Sequence, residues 1–129
     1  MIKHIQTKLH SDDVIGNCWP TAIACILECR IDQVPNFEEL FRVPDMPWFW
    51  VLEEWLKYKG YKYVGGGDRQ DYIDFDGYYF VTGKSPRGNF NHIVIYKDGK
   101  MVHDPHPSGD GILTEEFWEH LEKINDEQQ

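Results

Sequence analysis

Apolar residues in the first half of the chain recur at helical spacing or fill a segment on every side. Residues 18–28 are apolar almost throughout, which is typical of a helix enclosed by the rest of the fold. Asn17 stands at the N-cap position of this helix, and Pro20 falls in its first turn, where the missing N–H costs nothing. Two further helices are predicted over 37–41 and 47–59.

The second half of the chain shows short apolar stretches between glycine-rich segments. This pattern predicts four strands, over residues 61–64, 77–82, 91–96 and 100–104. A last helix, capped by Thr114, is predicted to carry Phe117, Trp118 and Leu121, and the tail from about residue 125 is expected to be loose. We therefore predict one α+β domain over 1–129, with a buried N-terminal helix packed on a C-terminal antiparallel β-sheet.

The register of the last two predicted strands decides whether His92 and Asp104 can meet. If Lys97-Asp98-Gly99 forms a three-residue loop, Tyr96 faces Lys100, and His92 then lies directly opposite Asp104. Opposed residues point to the same face and lie about 5 Å apart at Cβ, so the carboxylate could orient the imidazole. A two-residue turn would put them on opposite faces. We predict the three-residue loop.

Charge and composition restrict the class of partner. A formal net charge of −9 argues against a phosphate-binding surface, so no nucleic acid partner is expected. No apolar run approaches the length of a membrane span, so no membrane partner is expected either. The cysteines at 18, 25 and 29 fall in one predicted helix and form no disulfide framework, which favours a reducing, cytoplasmic location. No pattern indicates the oligomeric state.

The sequence Gly16-Asn17-Cys18-Trp19-Pro20 places a thiol where a loop turns into the first predicted helix. The free N–H groups and positive dipole of a helix N-terminus favour a thiolate, and a nearby imidazolium lowers the thiol pKa further. His92 opens an apolar strand and Asp104 ends the next one, which supplies an imidazole and a carboxylate in that order. Cys25 and Cys29 are predicted to fill the core.

These motifs resemble the papain-like cysteine peptidases of the C39 and C39-like type. The resemblance rests on Cys18-Trp19-Pro20-Thr21-Ala22 opening an apolar helix, on His92 followed by aliphatic residues, and on Asp104-Pro105. It also extends to small uncharacterised bacterial and phage proteins through residues 85–88 and 103–109. The resemblance implies that Cys18 is the nucleophile, His92 the general base and acid, and Asp104 its orienting partner.

The resemblance also implies an oxyanion-hole glutamine six residues before the cysteine, where this chain has Asp12. A carboxylate there would repel a developing oxyanion. Gln6 and Asn17 are the candidate side-chain donors in its place, beside the Cys18 backbone N–H. Trp19 replaces a small residue of the family and is expected to narrow the cleft beside the sulfur.

The remaining candidates for substrate contact lie on the loops that flank the two strands. Ser85 and Arg87 precede His92, and Ser108 follows Asp104. Metal ligation by His92, His103, Asp104 and His106 is the alternative for this region. We expect no metal and no organic cofactor, because strand alternation sends His103 to the face opposite Asp104 and no cysteine pair supports a site.

The motifs predict a cysteine hydrolase, a peptidase or an isopeptidase or amidase, acting on a peptide or protein substrate through a thioester. The fold and the triad do not choose among hydrolysis, deamidation and acyl transfer. The alternative is a catalytically degenerate papain-like fold that serves as an acidic protein-binding or inhibitor module.

Overall fold

A computed structural model describes residues 1–11 and 13–124, so Asp12 and the predicted loose tail from 125 lie outside the described residues. The described chain is an α+β structure. Its helices are α1 (Cys18–Leu27), α2 (Phe37–Phe41) and α3 (Trp48–Tyr58), with short 3-10 turns at Ile31–Gln33 and Arg69–Tyr72. Its strands are β1 (Tyr61–Gly67), β2 (Tyr79–Lys84), β3 (Asn91–Lys97), β4 (Lys100–His103) and β5 (Phe117–Lys123).

The five strands form one antiparallel sheet in the order β1-β5-β2-β3-β4. Helix α1 lies on one face of this sheet, where Ala22, Ile23 and Cys25 share a buried cluster with Ile93 and Ile95 of β3. The predicted packing of the first helix on the antiparallel sheet is therefore confirmed. Full burial of a large aliphatic side chain stabilises the folded state by about 1.5–3 kcal/mol.

Strand β3 is apolar on both faces because both faces of the sheet are covered at that point. Ile93 and Ile95 face the α1 cluster, while Val94 and Tyr96 pack in a second cluster with Trp118. This alternation follows from the two-residue period of a strand. In the part of the chain described, no helix is long and apolar enough to cross a membrane.

The last predicted helix is wrong, because residues 117–123 form strand β5 between β1 and β2. The spacing of the apolar residues in this segment fits either a helix or a strand. The strand forms because β5 pairs with β1 on one side and β2 on the other, which satisfies its backbone hydrogen bonds. Thr114 does not cap a helix but accepts a hydrogen bond from the Lys84 backbone N–H through Oγ1, at 2.9 Å. The strand predicted over 61–64 is longer than expected, because the three glycines that follow continue β1 to Gly67.

The predicted three-residue hairpin loop between β3 and β4 is also wrong. Lys97 pairs with Lys100, and the turn consists of Asp98 and Gly99, with φ angles of 54° and 79°. Farther along the ladder, the register shifts by one residue, so that Ile95 pairs with His103. The shorter turn moves the register by one residue, and the bulge in β4 moves it by one more. The residues after β4 therefore point to the same face of the sheet as the longer loop would have given them.

Gly83 of β2 pairs with His92 and has no room for a side chain. A Cβ at this position would lie 1.7 Å from the Thr114 carbonyl oxygen. We expect Gly83→Ala to lower the free energy of unfolding by about 1–3 kcal/mol or more, since the segment bearing Thr114 must shift. Urea denaturation measures this change, with Lys84→Ala, on the neighbouring exposed position, as the control. Equal stability of the two variants would contradict the close approach.

Candidate active site

Cys18 is the first residue of α1 and lies in a helix turn with few free donors. Pro20 has no N–H, and the Thr21 N–H donates to the Asn17 carbonyl at 3.0 Å. The Cys18 N–H has no hydrogen-bond partner among the described residues. Packing of α1 on β3 brings the sulfur close to the Ile93 backbone N–H, which lowers the pKa of the thiol.

Cys18 and His92 line the same cavity, a cleft of about 990 Å³ that we call the Cys18 cleft. His92 is the second residue of β3, and Asp104 follows the last residue of β4. His92 Nε2 and Asp104 Oδ1 lie 2.6 Å apart, and both side chains are almost completely buried, at 3% and 2% exposure. The structure therefore joins the imidazole and the carboxylate that the sequence predicts.

Asp104 is held by hydrogen bonds from the backbone as well. Its Oδ1 also accepts from the His106 N–H at 2.9 Å, and its Oδ2 accepts from the Gly111 N–H at 2.8 Å. Burial alone would raise the pKa of this carboxyl, but these bonds and the His92 bond outweigh burial and lower the pKa. An ionised Asp104 only accepts hydrogen bonds, so His92 carries a proton on Nε2 and presents Nδ1 as its other ring nitrogen.

Glu38 of α2 is a functional candidate that the sequence analysis missed. Its Oε1 accepts a hydrogen bond from the Cys18 thiol at 3.1 Å and from the Trp19 backbone N–H at 2.7 Å. Glu38 thus takes the donor that an N-cap side chain normally satisfies, since the Asn17 side chain makes no cap. No hydrogen bond joins the thiol to His92 among the residues described.

The surroundings of Cys18 favour a neutral thiol. Burial raises the pKa of the Cys18 thiol well above its usual range, and the charge and hydrogen bond of Glu38 raise it further. The nearby backbone N–H groups of Ile93 and Trp19 oppose this rise in pKa. The helix N-terminus alone was expected to favour a thiolate. The observed arrangement instead favours the protonated thiol, which lies beside the Glu38 carboxylate.

The two candidate side chains for the oxyanion hole differ in whether they line the Cys18 cleft. Gln6 is buried at 7% exposure and lines the Cys18 cleft, and its Nε2 donates to the Lys8 carbonyl at 2.9 Å. Its Oε1 has no partner among the described residues. Asn17 uses its side chain to tie α1 to the N-terminal segment, accepting from the Lys8 N–H and donating to Thr7 Oγ1, each at 2.9 Å. Of these two side chains, Gln6 is the one that lines the cleft.

The candidate substrate contacts divide in the same way. Trp19 and Arg87 line the Cys18 cleft, whereas Ser85 and Ser108 are not among its lining residues. Ser85 is buried, and its Oγ accepts from the Arg87 backbone N–H at 3.1 Å. Ser108 Oγ accepts from Arg87 Nη1 at 3.2 Å. The serines therefore position the arginine at the cleft rim.

Aromatic side chains form much of the wall of the Cys18 cleft. They come from all three helices, from β1 and β5 and from the residue before β3, and comprise Trp19, Phe37, Phe41, Trp48, Tyr63, Phe90, Phe117 and Trp118. Phe41 and Phe117 are largely exposed at the rim. Such a wall suits apolar groups of a ligand, with polar atoms directed toward the thiol end.

The region considered for metal binding is occupied by hydrogen bonds within the protein. His103 Nε2 lies 2.6 Å from the His4 carbonyl oxygen, away from Asp104. Among the described residues, no group of three or more His, Cys, Asp or Glu side chains is arranged to hold a metal ion. The reactive groups of the cleft are therefore its thiol, its imidazole and its carboxylates.

Comparisons of the chain with protein-family models, with curated proteins and with solved structures found no match. The resemblance to papain-like peptidases accordingly rests on the motifs at Cys18, His92 and Asp104. A function for the cleft has to be inferred from the chemistry of the residues that line it.

Proposed function

We propose that this protein is a cysteine hydrolase of papain-like fold, acting on an amide or isopeptide bond of a peptide or protein. The observation that carries the proposal is the buried His92–Asp104 pair, which lies at the same cleft as a thiol on a helix N-terminus. A nucleophile, a base and a group that orients the base are the parts that such chemistry requires. Unpaired thiols at Cys18, Cys25 and Cys29 suit a reducing compartment such as the cytoplasm.

In the proposed reaction, His92 Nδ1 takes the thiol proton of Cys18, and the thiolate attacks the substrate carbonyl carbon. The Cys18 N–H stabilises the resulting oxyanion, with the Gln6 amide as the side chain best placed to assist. His92 returns its proton to the leaving amine, which leaves a thioester on Cys18. His92 then removes a proton from water, and the attacking hydroxide releases the acid and restores the thiol.

The layered arrangement supports the papain-like part of the proposal. The helix that begins at Cys18 packs on an antiparallel sheet, and strand β3, which carries His92, is its main contact in that sheet. Such packing holds nucleophile and base on rigid elements rather than on loops. The aromatic wall of the Cys18 cleft supports a substrate with apolar side chains near the scissile bond.

An activated ester tests the proposed reaction without knowledge of the natural substrate. We expect p-nitrophenyl acetate to acetylate Cys18, with release of p-nitrophenolate, and the thioester to hydrolyse so that turnover continues. Cys18→Ala should abolish the turnover, because no imidazole contacts the sulfur of Cys25 or Cys29 among the described residues. Absorbance follows p-nitrophenolate, and peptide mass spectrometry locates the acetyl group.

Cys29→Ala is the matched control, since Cys29, like Cys18, is a partly buried thiol that packs against the same core cluster. This variant should keep wild-type turnover. If Cys18 is acetylated no faster than Cys29, or if Cys18→Ala retains the turnover, the hydrolase proposal fails.

A second candidate function is a binding protein without catalysis, which uses its acidic surface as an inhibitor module does. The observation that favours it is the bond from the Cys18 thiol to Glu38, which keeps the sulfur neutral in the resting protein. The same ester experiment separates the two functions. A folded protein with no acetylation of Cys18 would favour the binding module.

A further inference from the structure

Glu38 makes contacts that an ordinary surface glutamate of a short helix does not make. It belongs to α2, whose remaining acidic first-turn residue, Glu39, is exposed and pairs with Lys8 at 3.4 Å. Glu38 points the other way, into the Cys18 cleft. A single oxygen, Oε1, accepts from both the Cys18 thiol and the Trp19 N–H.

These contacts place a carboxylate oxygen beside the nucleophile and on a backbone donor next to the Cys18 N–H. The Trp19 N–H is one of the free donors of the first turn of α1, beside the Cys18 N–H. A carboxylate oxygen on this donor carries the same sign of charge as the oxyanion of a tetrahedral intermediate and lies next to the nucleophile. The Glu38 carboxylate therefore occupies one of the backbone donors at the N-terminus of α1 that could otherwise bind an anionic group.

We propose that Glu38 is a latch that holds Cys18 as a neutral thiol and occupies the helix N-terminus until a substrate displaces it. Displacement by a substrate carbonyl frees the Trp19 N–H and removes the carboxylate from the sulfur. The thiol proton then passes to His92 Nδ1, and no other reactant is consumed. The substrate half of this inference rests on the proposed hydrolase function.

Several charged or titratable groups face Glu38. Cys18 lies on α1, His92 on β3 and His10 on the N-terminal segment, and Arg42 follows the last residue of α2 and lines the same cleft. Burial raises the pKa of the Glu38 carboxyl, while the bonds from Trp19 and Cys18 and the charges of His92 and His10 oppose the rise. Any pH profile of Cys18 therefore has to be compared between variants that keep these groups.

The test is the rate of Cys18 alkylation by iodoacetamide as a function of pH, in the wild type and in Glu38→Gln. Glutamine is nearly isosteric and can still accept from the Trp19 N–H, but it carries no charge. The thiolate is the reactive form, so loss of the charge should lower the apparent pKa of Cys18. A fall of one unit in this pKa raises the thiolate fraction at neutral pH about tenfold and the alkylation rate by about three- to fourfold, because a more acidic thiol is a weaker nucleophile.

Glu39→Gln is the matched control, because it removes the same charge one residue along α2 from an exposed side chain. Its Cys18 profile should equal that of the wild type. The alkylation rate of Cys29 should stay constant in every variant and reports any general loosening of the fold. An unchanged or slower Cys18 rate in Glu38→Gln overturns the latch.

If Glu38→Gln does not fold, Glu38→Asp decides the question. The shorter side chain withdraws the carboxylate from the sulfur, so alkylation should again accelerate, and an unchanged rate overturns the latch. Alkylation requires no substrate, so faster alkylation supports the latch even if p-nitrophenyl acetate is not turned over. Turnover without an effect of Glu38 would leave the hydrolase proposal standing and remove only the latch.

Discussion

Replacement of His92 by glutamine should reduce the turnover of p-nitrophenyl acetate by about 10²–10⁴-fold, the usual contribution of a positioned general base. The glutamine amide can donate to Asp104 Oδ1, as His92 Nε2 does, and so keeps the buried carboxylate paired. It cannot accept and return a proton at neutral pH. Both steps of the proposed reaction therefore lose their proton carrier while the fold retains its hydrogen bond.

Two measurements separate this effect from a loss of structure. Steady-state p-nitrophenolate release gives the turnover, and circular dichroism with urea denaturation gives the folded fraction. His4→Gln is the control, because the His4 imidazole bonds to the Cys29 carbonyl at 2.8 Å, and glutamine can donate to the same oxygen. Wild-type turnover in a folded His92→Gln protein would remove His92 from the mechanism.

The contact between His92 and Asp104 could be anticipated from the sequence, although the predicted register was wrong. Counting along a three-residue loop put the two residues opposite one another. The chain instead uses the two-residue turn of Asp98 and Gly99 and then a bulge in β4, which shifts the pairing by one residue. Strand alternation made the prediction testable, but a bulge depends on tertiary packing that a local pattern does not encode.

Strand β5 and Glu38 show what local patterns leave out. Residues 117–123 carry apolar side chains at spacings that fit a helix, and only the free edges of β1 and β2 make a strand the better structure. Glu38 stands in the first turn of α2, where acidic residues are common for helix stability alone. The packing of α2 against the start of α1 places Glu38 at the thiol, and no motif near residue 38 predicts that contact.

Asp104 follows β4, and its removal should destabilise the protein as well as disturb the site. Asp104→Ala leaves buried or partly buried donors without an acceptor, namely His92 Nε2 and the N–H groups of His106 and Gly111. Loss of one partner of a buried charged hydrogen-bond network costs about 3–5 kcal/mol. We expect a decrease of this size in the free energy of unfolding, measured by urea denaturation at neutral pH.

Asp104→Asn separates the charge from the shape. The amide oxygen can still accept from His92, but the amide nitrogen opposes the Gly111 N–H, so we expect an intermediate loss of about 1–3 kcal/mol. The pKa of Asp104 is lowered in the folded protein, so its ionised form stabilises the fold above the unfolded pKa of about 3.9. This stabilisation should disappear as the pH falls through the lower, folded pKa.

The stability difference between wild type and Asp104→Asn should therefore be constant near neutral pH and shrink in acid, below about pH 4. Urea denaturation of both proteins over a series of acidic buffers measures the difference. Asp98→Asn is the control, since Asp98 lies in the exposed two-residue turn and asparagine tolerates the same positive φ. The stability difference between wild type and Asp104→Asn could also stay the same from neutral to acid pH. That result would mean that the bonds from His92, His106 and Gly111 do not stabilise the charge of Asp104.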